Sequence, residues 1–100
     1  MSFWVYILAS KRNGTLYAGH TDDLPKRHFQ HQDEQLPGFT SRYGVKLLVW
    51  FEEHATREAA RNRECQIKEW RRAWKLRLIE ETNPDWKDLY LDLNNWYPHR

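Results

Sequence analysis

The run FWVYILAS, residues 3–10, is the strongest constraint on how this chain can fold. Residues 3–9 are all apolar or aromatic, so the segment offers no polar face to water. It reads as a strand buried on both faces, around which the other elements must be arranged. KRNGT follows, and Asn13-Gly14 is a two-residue hairpin signal. TLYAGH, residues 15–20, is then the returning strand.

A two-residue loop at Asn13-Gly14 predicts that Arg12 faces Thr15, Ser10 faces Tyr17 and Leu8 faces Gly19. Side chains alternate along a strand, and opposed residues share a face. Tyr6, Leu8, Ser10, Tyr17 and Gly19 are therefore expected on one side of the hairpin.

TDDLPKRHFQHQDE, residues 21–34, reads as a helix. Asp22 and Asp23 are its cap candidates, and Pro25 is tolerated in the first turn. Leu24, Arg27 and His31 fall on one helical face. LPGFTSRYG (36–44) reads as a loop and VKLLVWFEEH (45–54) as a third strand. Thr56 caps a helix running to about Trp70, with Glu58 favourable in the first turn. Ala60, Glu64, Ile67 and Trp74 lie near one side of that helical projection. This sets a carboxylate on or beside an inward stripe, and it reads Trp70 and Trp74 as core residues ahead of the alternative that they stack on exposed bases. A second helix over 71–84 follows a break near Trp70 and stops at Asn83-Pro84. The sum is a β-hairpin, a helix, a third strand and two more helices: a small α+β fold. Its 100 residues suit one domain, with a core over about 1–83 and an aromatic tail over 84–100.

Charge is unevenly spread. Residues 57–77 carry eight basic and three acidic side chains, a block suited to a phosphate backbone. Within it Lys68, Arg71, Arg72 and Lys75 are the candidate nucleic-acid contacts. Cys65 is the one cysteine, which excludes a disulfide framework and points to a cytoplasmic location. No apolar run is long enough to span a membrane, and the N-terminal stretch reads as a strand and not a leader. His20, His28 and His31 with Cys65 match no zinc spacing.

An arginine, two tyrosines, a histidine and an inward carboxylate suit phosphodiester cleavage. Arginine binds phosphate oxygens and neutralises charge that develops on them. A carboxylate can hold Mg²⁺ or Mn²⁺, which take oxygen ligands and keep several waters. A tyrosine or histidine beside the attacking water can accept its proton.

These residues, in this order, resemble the GIY-YIG nuclease superfamily. Val5-Tyr6-Ile7 is similar to the first half of its motif and Tyr17-Ala18-Gly19 to the second. Arg27 falls at the family's helix arginine, His31 at a tyrosine or histidine one turn later, and Glu64 at the metal-binding glutamate. PGFTSRYG and WRRAWKLRLIEETNPDW resemble the small stand-alone bacterial branch. The resemblance implies a three-stranded antiparallel sheet flanked by helices, and a single divalent ion, Mg²⁺ or Mn²⁺, on Glu64. It implies Tyr17 as base or water-positioning group, Tyr6 in support, Arg27 on the scissile phosphate and His31 as an assisting base or donor. Gly19 leaves room for Arg27, the phosphate or close helix packing.

The leading expectation is a metal-dependent endonuclease acting on nucleic acid, DNA ahead of RNA, in structured or single-stranded form, in repair or recombination. One alternative is a nucleic-acid-binding module with little or no catalysis. The other is an interaction domain whose tail, NNWYPHR, docks a protein partner.

Overall fold

In the computed structural model the described residues are 2–24 and 47–89. Arg27, His31, the loop over 36–44 and the tail NNWYPHR lie outside them. The elements are β1 (Phe3–Ala9), β2 (Leu16–Thr21), β3 (Leu47–His54), α1 (Arg57–Glu69) and α2 (Arg72–Thr82). The strands form one antiparallel sheet in the order β2-β1-β3, flanked by two helices. β1 is central, and from Trp4 to Ala9 every residue is buried, as its unbroken apolar run requires.

The hairpin register differs from the sequence expectation by two residues. Tyr6 faces Gly19, Leu8 faces Tyr17 and Ala9 faces Leu16. Four loop residues, Lys11 to Gly14, lie between Ser10 and Thr15, whose backbone closes with Ser10 N–H donating to the Thr15 carbonyl at 3.0 Å. Gly14 N–H donates to the Lys11 carbonyl at 2.9 Å, and Asn13 takes the left-handed φ of 58°. Asn13-Gly14 is thus the second half of a four-residue turn, not the whole of a two-residue one. An even shift preserves the alternation, so Tyr6, Leu8, Tyr17 and Gly19 do share a face.

The sheet packs on both sides. On one side Val5, Ile7, Ala9, Val49 and Trp50 meet Ala60 and Ile67 of α1 and Ile79 of α2. On the other, Trp4, Tyr6, Leu8 and Leu48 cluster with Leu24. A bulge makes the first side possible: Ile7 faces Trp50 but Leu8 faces Leu48, so Val49 is the extra residue of β3. Val49 and Trp50 consequently point into the same core.

The helices follow their local signals. The Thr56 hydroxyl accepts from Ala59 N–H at 3.1 Å and starts α1. Trp70 and Arg71 are extended, with ψ of 152° and 150°, and separate the two helices. That break resets the helical phase, so Trp74 does not follow Ile67 inward; it is 54% exposed. α2 ends at Asn83, whose successor Pro84 has no N–H to continue it.

Asn83 is also what fastens the next segment. Its buried Nδ2 donates to the Val49 carbonyl at 3.1 Å and to the Lys87 carbonyl at 2.9 Å, and its Oδ1 accepts from Lys87 N–H at 3.0 Å. The bulge takes Val49 out of regular pairing, and the amide supplies a donor to its carbonyl. Beyond it, Trp86 is buried with its indole N–H on Glu80 at 2.8 Å, and Leu89 N–H donates to the Leu48 carbonyl at 2.7 Å. Asn83→Ala strips donors from two carbonyls and the acceptor from an N–H, and should cost about 2–4 kcal/mol in urea denaturation. A loss below about 0.5 kcal/mol would mean that the amide does not hold this segment.

Candidate functional site

β2 is where polar chemistry enters the sheet, because its side chains alternate between two differently packed faces. Tyr17 and Gly19 lie on the Tyr6 face, while Leu16, Ala18 and His20 lie beneath α1. Tyr6 is 2% exposed and Tyr17 half-buried, with ring centroids 6.4 Å apart and planes tilted by 38°. Gly19 lies directly under the Tyr6 ring. A Cβ there would come within 2.5 Å of the Tyr6 hydroxyl oxygen and 2.7 Å of Cζ. The space that Gly19 provides is therefore filled by Tyr6 itself, which was not among the occupants the resemblance offered.

Glu64 projects from α1 towards β2, as its place beside the inward stripe requires. Its side chain is 13% exposed and engaged at both oxygens. Oε1 is hydrogen-bonded to Nδ1 of His20, and Oε2 accepts from Lys68 Nζ at 2.6 Å, one helical turn on. Burial alone would raise the Glu64 pKa. The hydrogen bonds from Lys68 and His20, with their positive charge, outweigh it and hold the carboxyl below its ordinary value. Lys68 is shifted up, first by its bond to Glu64, against partial burial, and further by the charges of Glu64 and Tyr17.

Lys68 thus connects the two faces at the β2 edge. A cavity of about 170 Å³ lies there, lined by Leu16, Tyr17, Ala18, Ile67, Lys68 and Lys75. Beside the apolar Ile7, Leu16, Ala18 and Ile67, its two lysines and one phenol are groups that can donate to an oxyanion. The structure brings Tyr6 to Tyr17, and Tyr17 to Lys68 and Lys75, with Glu64 on the far side of Lys68. Arg71 is exposed at the start of α2. Arg72 is turned to the hairpin, its Nη2 donating to the Asn13 and Gly14 carbonyls at 2.7 and 2.6 Å. Arg27 and His31 lie outside the described residues.

Among the described residues no three His, Cys, Asp or Glu side chains form a metal cage. The donor set still fits a magnesium-like ion in one way. Glu64 is ionised, and a single carboxylate suffices for an ion that keeps several waters and takes phosphate oxygens. Lys68, half exposed on a flexible stem, would have to leave Oε2. His20 is the partner that sequence reasoning missed. Its position beside Gly19 was visible, but its pairing with a carboxylate 44 residues away depends on how α1 crosses β2.

Comparison with known proteins gives a consistent set of relatives. The model of the GIY-YIG catalytic domain matches residues 2–77. A UPF0213 protein of Staphylococcus saprophyticus is 36% identical over 78 residues, covering 78% of this chain and 94% of that protein. A UPF0213 protein of Staphylococcus aureus is 36% identical over 80 residues, covering 80% and 96%. The solution NMR structure of a UPF0213 protein, BH0048 from Bacillus halodurans, superposes with a TM-score of 0.55 at 26% identity. It covers 88% of this chain and 93% of that one.

Two expectations follow from the geometry. Gly19→Ala forces Tyr6 aside and should destabilise the protein by about 1–3 kcal/mol in thermal or urea melts; an unshifted melt would show that the ring yields freely. The second concerns acid. Because the folded Glu64 pKa is depressed, its contribution is present above the unfolded value and is lost as pH falls through the folded one. The stability gap between the protein and Glu64→Gln should therefore close below about pH 4.3, the ordinary glutamate value. A gap constant from pH 7 to 3 would rule out the ionised pair.

Proposed function

The chain belongs to the GIY-YIG family, and from that premise we propose that it is a divalent-metal-dependent endonuclease hydrolysing nucleic-acid phosphodiester bonds. Its substrate is DNA ahead of RNA, in structured or single-stranded form, and its setting is cytoplasmic repair or recombination. The observation that carries this reading is the meeting of Tyr17 and the ionised Glu64 around Lys68, beside a lysine-lined cavity. Among the described residues no helix is long and apolar enough to cross a membrane.

The roles follow from the chemistry of each group. Lys68 and Lys75 receive the non-bridging phosphate oxygens at the β2 edge, and Arg27 adds a two-pronged contact to the scissile phosphate. Arg71, exposed at the turn between the helices, and Arg72 beside the hairpin extend the cationic track along the backbone. Tyr17 orients the attacking water and accepts its proton, with His31 as a second base or donor. Tyr6, packed over Gly19, fixes the Tyr17 ring against displacement. Glu64 would hold Mg²⁺ or Mn²⁺, with His20 hydrogen-bonded to the same carboxylate. When bound, the ion supplies charge neutralisation on the phosphate and the leaving oxygen.

A second reading is a nucleic-acid-binding module with little or no cleavage. It draws support from the Glu64 carboxylate, whose charge Lys68 already balances and whose other oxygen His20 occupies.

The test is cleavage of labelled single-stranded, duplex, flap and junction DNA, and of RNA, with Mg²⁺, Mn²⁺ or EDTA. Metal-dependent cutting should fall by about a hundredfold or more in Glu64→Ala. Intact binding with no cutting by folded protein would instead select the binding module.

A further inference from the structure

On the other side of α1 from Glu64, a second cleft opens where α1 meets α2. It has a volume of about 390 Å³ and is lined by Arg63, Trp70, Trp74, Arg77, Leu78 and Glu81. Trp70 and Leu78 also pack against the core, but Trp74, Arg77 and Glu81 are exposed. Trp74 is the one large apolar side chain exposed among the described residues. It meets Trp70 edge to face, with centroids 6.0 Å apart and planes at 75°. Leaving an indole half in water opposes the burial that drives folding, unless something else covers it.

The walls are held in place. Arg63 Nε donates to Glu52 at 3.1 Å and Nη1 to Gln66 at 2.7 Å, and its guanidinium carbon lies 5.3 Å from the Trp70 ring centroid. One side of Trp70 is thereby covered and its orientation fixed. Arg77 makes no ion pair among the described residues, so its charge is free to meet an anion.

We propose that this cleft is a subsite for one unpaired nucleobase and its adjoining phosphate on a single strand. The ring of Trp74 offers the stacking surface, and indole faces stack on any base. Arg77, with Arg63 behind it, supplies the cation for the phosphate. Glu81 accepts from an exocyclic amino group, the contact a carboxylate makes to cytosine. A nucleotide satisfies aromatic, cationic and acceptor groups together. Four of its six lining residues, Arg63, Trp70, Trp74 and Arg77, fall within the basic stretch 57–77. It rests on the nucleic-acid reading above, but not on cleavage.

The experiment is fluorescence anisotropy in EDTA, so that no cutting intervenes. The probes are labelled oligodeoxycytidylate and an abasic oligomer with the same number of phosphates. Trp74→Ala should weaken oligodeoxycytidylate binding about tenfold and leave abasic binding unchanged, with Trp74→Phe in between. Arg77→Ala should lower the salt slope of binding by about one. Trp74 is exposed, so the melting temperature of each variant should match the parent. Equal loss on both probes, no loss on either, or no oligodeoxycytidylate binding by the parent overturns the subsite. Absence of cleavage by the folded parent would sink the nuclease reading alone and leave the binding result standing.

Discussion

The burial of β1 on both faces is the constraint from which the rest of the molecule follows. A central strand with no polar face divides the protein into two packed layers, one under α1 and α2 and one around Tyr6. Chemistry that needs charge or water cannot sit on such a strand, since an unpaired polar group there costs several kcal/mol, about 2–7 by transfer scales. It must move to a neighbour. β3 carries a bulge, and its Leu48 and Val49 are tied by the segment from Asn83 to Leu89. β2 has mostly half-buried positions, and it receives Tyr17 on one face and His20 on the other. The candidate site is the place where the edge of that strand lets the two layers meet.

Local signals were readable because their physics is local. Residues 3–9 could only be an interior strand. Thr56 caps α1 through a bond to a residue three positions on, and Pro84 stops α2 through its own missing N–H. The shared face of Tyr6, Tyr17 and Gly19 was readable too, although the register was not. Asn13-Gly14 signals a turn without stating how many residues it contains, and the left-handed Asn13 sits third in a loop of four. The error was even, so the face survived it. An odd slip would have sent Tyr17 under α1 and His20 to the Tyr6 side, and the site would have been misread entirely.

What stayed hidden depended on tertiary placement. Trp74 follows Ile67 at a helical spacing, but two extended residues intervene and the phase does not carry across them. The Val49 bulge leaves no mark in an apolar strand, and its need for a donor explains Asn83 only once both are seen. His20 and Glu64 were each conspicuous, a histidine beside the motif glycine and a carboxylate facing inward. Their contact required the angle at which α1 crosses β2, which no periodicity encodes.

That crossing also fixes what Lys68 does. In the arrangement seen, its ammonium lies 2.6 Å from Glu64 and balances a carboxylate that is largely out of water. Without it, the desolvation that raises the Glu64 pKa would be less opposed, and the carboxylate would more readily take a proton in place of a metal. The same lysine also lines the cavity beside Tyr17 and Lys75 at the β2 edge. One lysine thereby joins the carboxylate on α1 to the cavity at the β2 edge. The i,i+4 spacing on α1 puts both positions within reach of a single flexible side chain.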